Sequence, residues 1–246
     1  MLFSGLPGQR RRKYNLWESI FFVLLVLFTG YVLLQSSLFE VREIVVRGNQ
    51  SLSAEKVIAV SGIHTGANIF KIDLGEAAKK LELLPVLREV RLSRVMPGAV
   101  VIEVEEREPV ALVPTGGGFV EVDEEVVHLR PGRVGATGLP VLTGVSAKSL
   151  GPGRGMTGEG LDELIRVVLE LPPELKGRLS EVHLDEGGSV ILYTLEGIPC
   201  KMGVPKDIRA KGLLLLEVLH ELQDRGKRIE YVDLSFIGTP VVKYVE

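Results

Sequence analysis

The sequence predicts an α+β protein: a single N-terminal transmembrane helix, then a β-α-α-β-β domain, then a larger domain of helices on a mixed sheet. Three observations carry this. An uncharged apolar run follows four basic residues. Behind it, stretches of period-two alternation interleave with stripes of helical period. And 46% hydrophobic residues with 25% charged ones supply enough apolar surface for packed cores, which excludes a disordered or low-complexity chain. The boundaries fall at a tail over 1–16, a transmembrane helix over 17–38, a first domain over 39–110 and a second over 111–246.

The membrane signal comes first. Arg10, Arg11, Arg12 and Lys13 are the only charges in the first 16 residues. Residues 20–34 then carry none, and 12 of those 15 are Leu, Ile, Phe or Val. With its flanks the segment is 22 residues, roughly 33 Å as a helix, enough for a bilayer core of about 30 Å. Those 12 side chains contribute about −4 to −7 kcal/mol to insertion. Tyr14, Trp17 and Tyr31 suit interfacial positions, and Glu18 sits near the end. A cleaved signal peptide shares the basic flank, but the apolar run is long for one, and residues 35–40 lack a small-x-small cleavage site. The basic cluster precedes the helix, so the positive-inside rule puts the tail in the cytoplasm and residues from about 39 onward outside. Removing the four basic tail residues and Glu18 leaves 25 basic against 31 acidic residues, a net of −6. Such an acidic exterior is a poor platform for nucleic acid.

In the first domain, residues 39–47 read as a strand ended by Gly48-Asn49. Ser53 is an N-cap for a helix over 54–60, with Leu52 and Val57 in staple positions and Gly62 at its C-terminal end. Asp73 caps a second helix over 74–84, which Pro85 stops. Strands over 87–95 and 100–106 alternate apolar with charged residues across the turn Met96-Pro97-Gly98.

In the second domain, strands fit 119–122 and 126–129 around the acidic turn Asp123-Glu124-Glu125. Residues 139–144 read as a connector, and the glycine-rich 151–160 as a loop. A helix over 161–171 carries Leu161, Leu164, Ile165, Val168 and Leu171 on one stripe. Strands follow over 181–184, 190–195 and 199–202. A long helix over 206–225, with Ile208, Leu215, Leu216, Leu219 and Leu222 apolar, ends at a Gly226 cap. Strands over 229–235 and 240–245 close the chain.

Chemistry is sparse. Ser53-Ala54-Glu55-Lys56 matches the S-x-x-K of serine acyl-transfer enzymes, yet neither K-T-G nor S-D-N accompanies it, and Ser53 is fully explained as a cap. Residues 153–158 match G-x-G-x-x-G without the preceding strand that a nucleotide site needs. His64, His128, His183 and His220 have no metal-ligand spacing, and one cysteine, Cys200, makes no disulfide framework. No catalytic residue, metal, cofactor or small-molecule substrate is nominated. The last strand, Pro240, Val241, Val242, Lys243, Tyr244 and Val245, is β-rich. It reads equally as an ordinary edge guarded by Pro240 and Lys243 and as an edge that recruits a strand from a partner.

The order of motifs resembles the FtsQ/DivIB family of bacterial cell-division proteins over nearly the whole chain. The resemblance is carried by FEVREIVVRGNQSLSAEKVIAVSGI (39–63), NIFKIDL (68–74) and LPVLREVRLSRVMPGAVVIEVEEREPVAL (84–112), then by FVEVDEEVVHL (119–129), LPVLTG (139–144), MGVPKDIRAKGLLLLEVL (202–219) and IEYVDLSFIGTPVVKY (229–244). It implies a POTRA domain followed by a β domain. It also implies a non-enzymatic, bitopic scaffold of the divisome at the septum of the cell (inner) membrane, N-terminus inside. Such a scaffold binds the coiled-coil membrane proteins FtsL and FtsB (DivIC in Gram-positive bacteria) and helps control septal peptidoglycan synthesis. The partner adds a strand near the C-terminus, which implies contact through Tyr231, Asp233, Ser235, Phe236, Pro240, Val241, Val242, Lys243 and Tyr244. Ser235 stands where the family often has an arginine, and no tryptophan follows. The rival readings are an extracytoplasmic cell-wall enzyme using Ser53 and a POTRA-type secretion or assembly component.

Overall fold

The chain is described by a computed structural model over residues 16–225, 229–236 and 240–245. The basic cluster 10–13, Tyr14, the expected Gly226 cap and the side chain of Leu222 lie outside the described residues. Helix α1, Leu16–Leu34, contains one stretch, Trp17–Leu34, long and apolar enough to cross a membrane. The side chains of that stretch touch almost nothing else in the protein.

The strand expected from residue 39 starts later. Ser36 caps a short 3-10 turn, Ser37–Phe39, by accepting from the Leu38 amide. Residues 39–41 then pair with a loop: Ile69 N donates to Phe39 O, Val41 N to Ala67 O and Gly66 N to Val41 O, each at 2.8 Å. Only then does β1, Glu43–Arg47, begin.

Helix α2, Ala54–Ser61, is capped as expected, with Ser53 accepting from Lys56 N. Its C-terminal Gly62 adopts φ 73°, the left-handed region that L-residues with a Cβ avoid. Helix α3, Leu74–Glu82, starts at the Asp73 cap but ends before Leu84, where the chain is already turning toward Pro85. Strands β2, Leu87–Val95, and β3, Ala99–Glu106, form an antiparallel hairpin, and β1 joins β3 in parallel, giving the order β1-β3-β2. One face of this sheet, through Val100, Ile102 and Val104, packs with Val57, Ala77 and Leu81 of the helices.

The second domain is one nine-stranded sheet. Its strands are β4 Ala111–Thr115, β5 Gly118–Val122, β6 His128–Gly132, β7 Val141–Thr143, β10 Leu179–Leu184, β11 Val190–Thr194, β12 Pro199–Gly203, β13 Ile229–Asp233 and β14 Val241–Tyr244. The order is β14-β13-β12-β11-β10-β7-β4-β5-β6. A separate ribbon, β8 Ser146–Lys148 with β9 Thr157–Glu159, takes part of the expected 151–160 loop. Helices α4, Leu161–Glu170, and α6, Ile208–Arg225, are the crossovers between the parallel pairs β7/β10 and β12/β13. A short α5, Pro173–Lys176, follows the Pro172 break.

Three expectations are corrected. Residues 139–144 are not only a connector: β7 sits mid-sheet between β10 and β4. No strand is expected between residues 107 and 118, yet β4 forms there at Ala111–Thr115. The strand expected at 126–129 begins at His128 instead. The cause is Asp123, whose Oδ1 accepts from Glu125 N (3.0 Å) and Val127 N (2.8 Å) and closes a turn that holds Val126 at φ 59°.

Two register rows cross the sheet. On the core face, Leu142, Val182, Leu192, Cys200, Val232 and Val242 are successive partners, and the first five are wholly buried beneath the helices. On the other face, Thr143, His183, Ile191, Lys201, Asp233 and Val241 run parallel to them and remain partly or fully exposed. The second row is therefore a solvent-facing strip that ends at the edge strand.

Candidate protein-interaction edge of the β domain

The nine residues that the sequence nominates converge on one end of the sheet. Tyr231 and Asp233 lie on β13, while Val241, Val242, Lys243 and Tyr244 lie on β14, the terminal strand of the described sheet. Pro240 stands just before β14 rather than inside it, so the strand is one residue shorter at each end than expected. Ser235 and Phe236 follow β13 in the connecting turn.

Alternation decides which of them face solvent. Val242 leans on the core beside Val232, which fixes the register of the last strand. Val241 and Lys243 point the other way, beside their partners Asp233 and Tyr231. Val241 is 55% exposed, an apolar side chain at the rim of the strip. Lys201 Nζ lies 4.6 Å from the Tyr231 ring centroid and Lys243 Nζ 5.9 Å, so the ring is held between two cations. Lys243 also pairs with Glu230 at 2.9 Å, and that hydrogen bond raises its pKa. Partial burial alone would raise the Asp233 pKa. Hydrogen bonds from Ser235, with Lys201 and Lys211 nearby, outweigh it and hold the carboxyl below its ordinary value, hence ionised. The strip therefore offers a mixed-charge patch around one aromatic and one valine.

A buried lysine stabilises the corner. Lys211, in the first turn of α6, is 5% exposed and its Nζ donates to Met202 O (2.5 Å) and Ser235 O (3.3 Å). It ties the end of β12 to the segment leaving β13, where Leu234 N also donates to Lys201 O. Just outside, Phe236 is 80% exposed, beside a groove that Val204, Lys206, Asp207 and Ser235 also line. Lys211 was missed from sequence because a lysine at the start of an amphipathic helix reads as solvated. Its neighbours Ile208 and Leu215 gave the only sign that this face turns inward.

The opposite end of the sheet differs. There β6 carries Pro131, which has no amide to donate, and Arg130 binds the buried Glu121 at 2.8 Å. That edge is guarded, whereas the β14 backbone is interrupted by no proline between Val241 and Tyr244.

Elsewhere, Ser53 Oγ is engaged as the α2 cap, and no group of three or more His, Cys, Asp or Glu residues among those described could hold a metal. Cys200 is fully buried, and burial pushes its thiol up to about 12, so it is a core residue rather than a nucleophile. The Asp123-Glu124-Glu125 turn, read from sequence as a solvated hairpin tip, is instead an ionic cluster between the domains. Arg107 bonds Asp123 (2.5 Å) and Glu125 (2.7 Å), and Arg88 bonds Glu124 (3.0 Å) and Glu125 (2.5 Å).

Comparison with known proteins agrees along the chain. Residues 39–107 match the family model for the POTRA domain, FtsQ-type, and residues 111–235 match the one for the C-terminal region of cell division protein FtsQ/DivIB. The cell division protein FtsQ of Syntrophotalea carbinolica is 30% identical over 97% of this chain and 88% of its own. That of Streptomyces griseus is 35% identical over 84% of this chain and 98% of its own. The cell division protein DivIB of Geobacillus kaustophilus is 28% identical over 78% and 72%. The chain therefore belongs to the FtsQ/DivIB family of cell division proteins.

Proposed function

We propose that the protein is a bitopic scaffold of the divisome. In this reading residues 1–16 are cytoplasmic, 17–38 cross the cell membrane, and the POTRA domain (39–110) and β domain (111–246) lie outside it, at the division septum. The scaffold performs no catalysis of its own. It binds FtsL- and FtsB/DivIC-type coiled-coil proteins and thereby helps control septal peptidoglycan synthesis.

The observation that carries the reading is the β14 edge. A partner strand laid along Val241–Tyr244 would continue the sheet by backbone hydrogen bonds. Alternate side chains would give specificity. Val241, Lys243 and the neighbouring Tyr231 and Asp233 meet one flank of the incoming strand, and Phe236, beside Ser235, extends the contact past the end of β13. The exposed charges steer the encounter more than they hold it.

Deletion of residues 239–246 tests this. The expected result is loss of co-purification with the coiled-coil proteins, while the far-ultraviolet circular dichroism of the ectodomain is kept. Undiminished co-purification would refute the edge-strand mechanism. A fluorescent tag on the N-terminus, expected at midcell in dividing cells, tests the septal location and the cell-division role separately.

A further inference from the structure

The junction between α1 and the POTRA domain is built without a free linker. The Gln35 amide still bonds back to Tyr31 O and Val32 O (both 3.2 Å), and Ser36 N bonds to Leu33 O at 3.0 Å. Asn68 of the POTRA domain then reaches the helix end: its Nδ2 donates to Leu34 O at 2.7 Å, while its Oδ1 accepts from Phe70 N at 3.0 Å. Lys71 Nζ donates to Gln35 Oε1 at 3.0 Å. Glu40 and Asn68 form a β-bridge, and the flanking Val41 and Ile69 are buried in the POTRA core. The end of α1 is thus capped by, and continuous with, the folded domain.

Two large apolar side chains project from this junction. Leu38 is 51% exposed and Phe70 44%. Phe70 is not loose, since its ring packs on Phe39 with centroids 5.1 Å apart. Leu38 lies four residues past the end of α1, inside the short 3-10 turn Ser37–Phe39, so it stays at the membrane-side end of the domain. The polar interfacial layer outside the hydrocarbon core is about 5–8 Å deep on each side. With α1 across a bilayer, Leu34 sits at the inner edge of that layer, which brings Leu38, four residues on, and Phe70, two residues past the Asn68 that bonds Leu34 O, next to it.

We propose that Leu38 and Phe70, backed by Phe39, form an interfacial anchor that inserts into the headgroup–acyl boundary of the outer leaflet. The partner is the lipid surface itself. The anchor fixes the pose of the POTRA domain on the membrane, rather than leaving it to swing on a tether. Its driving force is apolar burial, with Lys71 already occupied by Gln35. The proposal rests on α1 crossing the membrane, so its test must read the two separately.

The full chain in nanodiscs provides that test. Cys200 is buried, so introduced thiols label selectively. Leu38→Cys, Phe70→Cys, Leu25→Cys and Val134→Cys would each carry an environment-sensitive fluorophore in zwitterionic bilayers. Val134 is exposed on the β domain and reports water. Quenching by lipids doxyl-labelled near the headgroup is expected at 38 and 70, with iodide quenching roughly threefold lower there than at 134. Leu25 should be quenched by deeply labelled lipids. Deep quenching at 25 with full iodide access at 38 and 70 would overturn the anchor while leaving the membrane span intact. Water exposure at 25 would overturn both. Protection at 38 and 70 only in anionic bilayers would assign the contact to charge and overturn the apolar anchor.

Discussion

At the scale of single residues, the side chains that matter most satisfy backbone at the ends of elements. Glu106, last residue of β3, is the clearest. Its carboxylate accepts from Gln50 N (2.8 Å), Ser51 N (3.0 Å) and Leu52 N (3.0 Å), and from the Ser51 hydroxyl, which pins the loop before α2 to the far end of the sheet. Partial burial opposes its ionisation, but the hydroxyl and the three amides outweigh that and lower its pKa. The sign follows. A carboxylate whose folded pKa is depressed stabilises the fold above its unfolded value of about 4.3, and the gain is lost as pH falls through the depressed folded value. The denaturation midpoint of the POTRA domain should therefore drop on acidification below about pH 4, and Glu106→Gln should flatten that drop. At neutral pH the same substitution should cost about 1–2 kcal/mol by urea titration, because a neutral acceptor replaces a charged one.

At the scale of elements, the β14 strand couples fold and proposed binding through its two faces. Val242 belongs to the buried row and Val241 to the exposed one. Val242→Ala removes core contact and should cost roughly 1 kcal/mol of stability. Val241→Gln, which puts no second carboxylate opposite Asp233, should leave stability within about 0.5 kcal/mol yet weaken capture of the coiled-coil partner by tenfold or more, read by surface plasmon resonance on the ectodomain. Equal effects of the two on both readouts would contradict the division of labour. The strand was legible in the sequence because its alternation and the preceding proline are local signals. Helices α2 and α3 were legible for the same reason: Ser53 and Asp73 cap them within three residues. Strands β4 and β7 were not. Each is a short run buried on its sheet, with no alternation to read, and their mutual pairing is a single register contact, Leu112 with Val141. What makes β7 a strand is its position between β4 and β10, which only the tertiary arrangement supplies.

At the scale of the whole molecule, a set of ion pairs joins the two domains. A cleft of about 650 Å³ lies between them, lined by Gln50, Arg88, Glu108, Asp123, Leu169 and Lys176. Across it, Arg88 and Arg107 of the POTRA side grip the Asp123-Glu124-Glu125 turn. Asp123 is 3% exposed, so its pairing with Arg107 is shielded from water, whereas Glu124 and Glu125 are about half exposed and screened. The sequence hid this clasp, because an acidic triplet between two strands looks like a hairpin tip and its partners lie 16 to 37 residues away. Together with a rigid junction at α1, the clasp would hold the β14 edge at a defined height and angle above the membrane. Spin labels at Leu83→Cys and Val134→Cys, both exposed and one on each domain, report that angle by pulsed electron resonance. The intact chain should give one narrow distance distribution, and Arg88→Ala/Arg107→Ala a broad one with each domain still folded. Hydrogen bonds from Arg107 and then Arg88 hold the Glu125 carboxyl below its ordinary pKa. Its grip is therefore full above the usual carboxylate range and lost as pH falls through that depressed value, so acid should broaden the intact chain's distribution toward that of the double variant. A distribution that stays narrow in the double variant would mean that the short connection from β3 to β4 and the close approach of Gly153 to Pro85 suffice to hold the domains together.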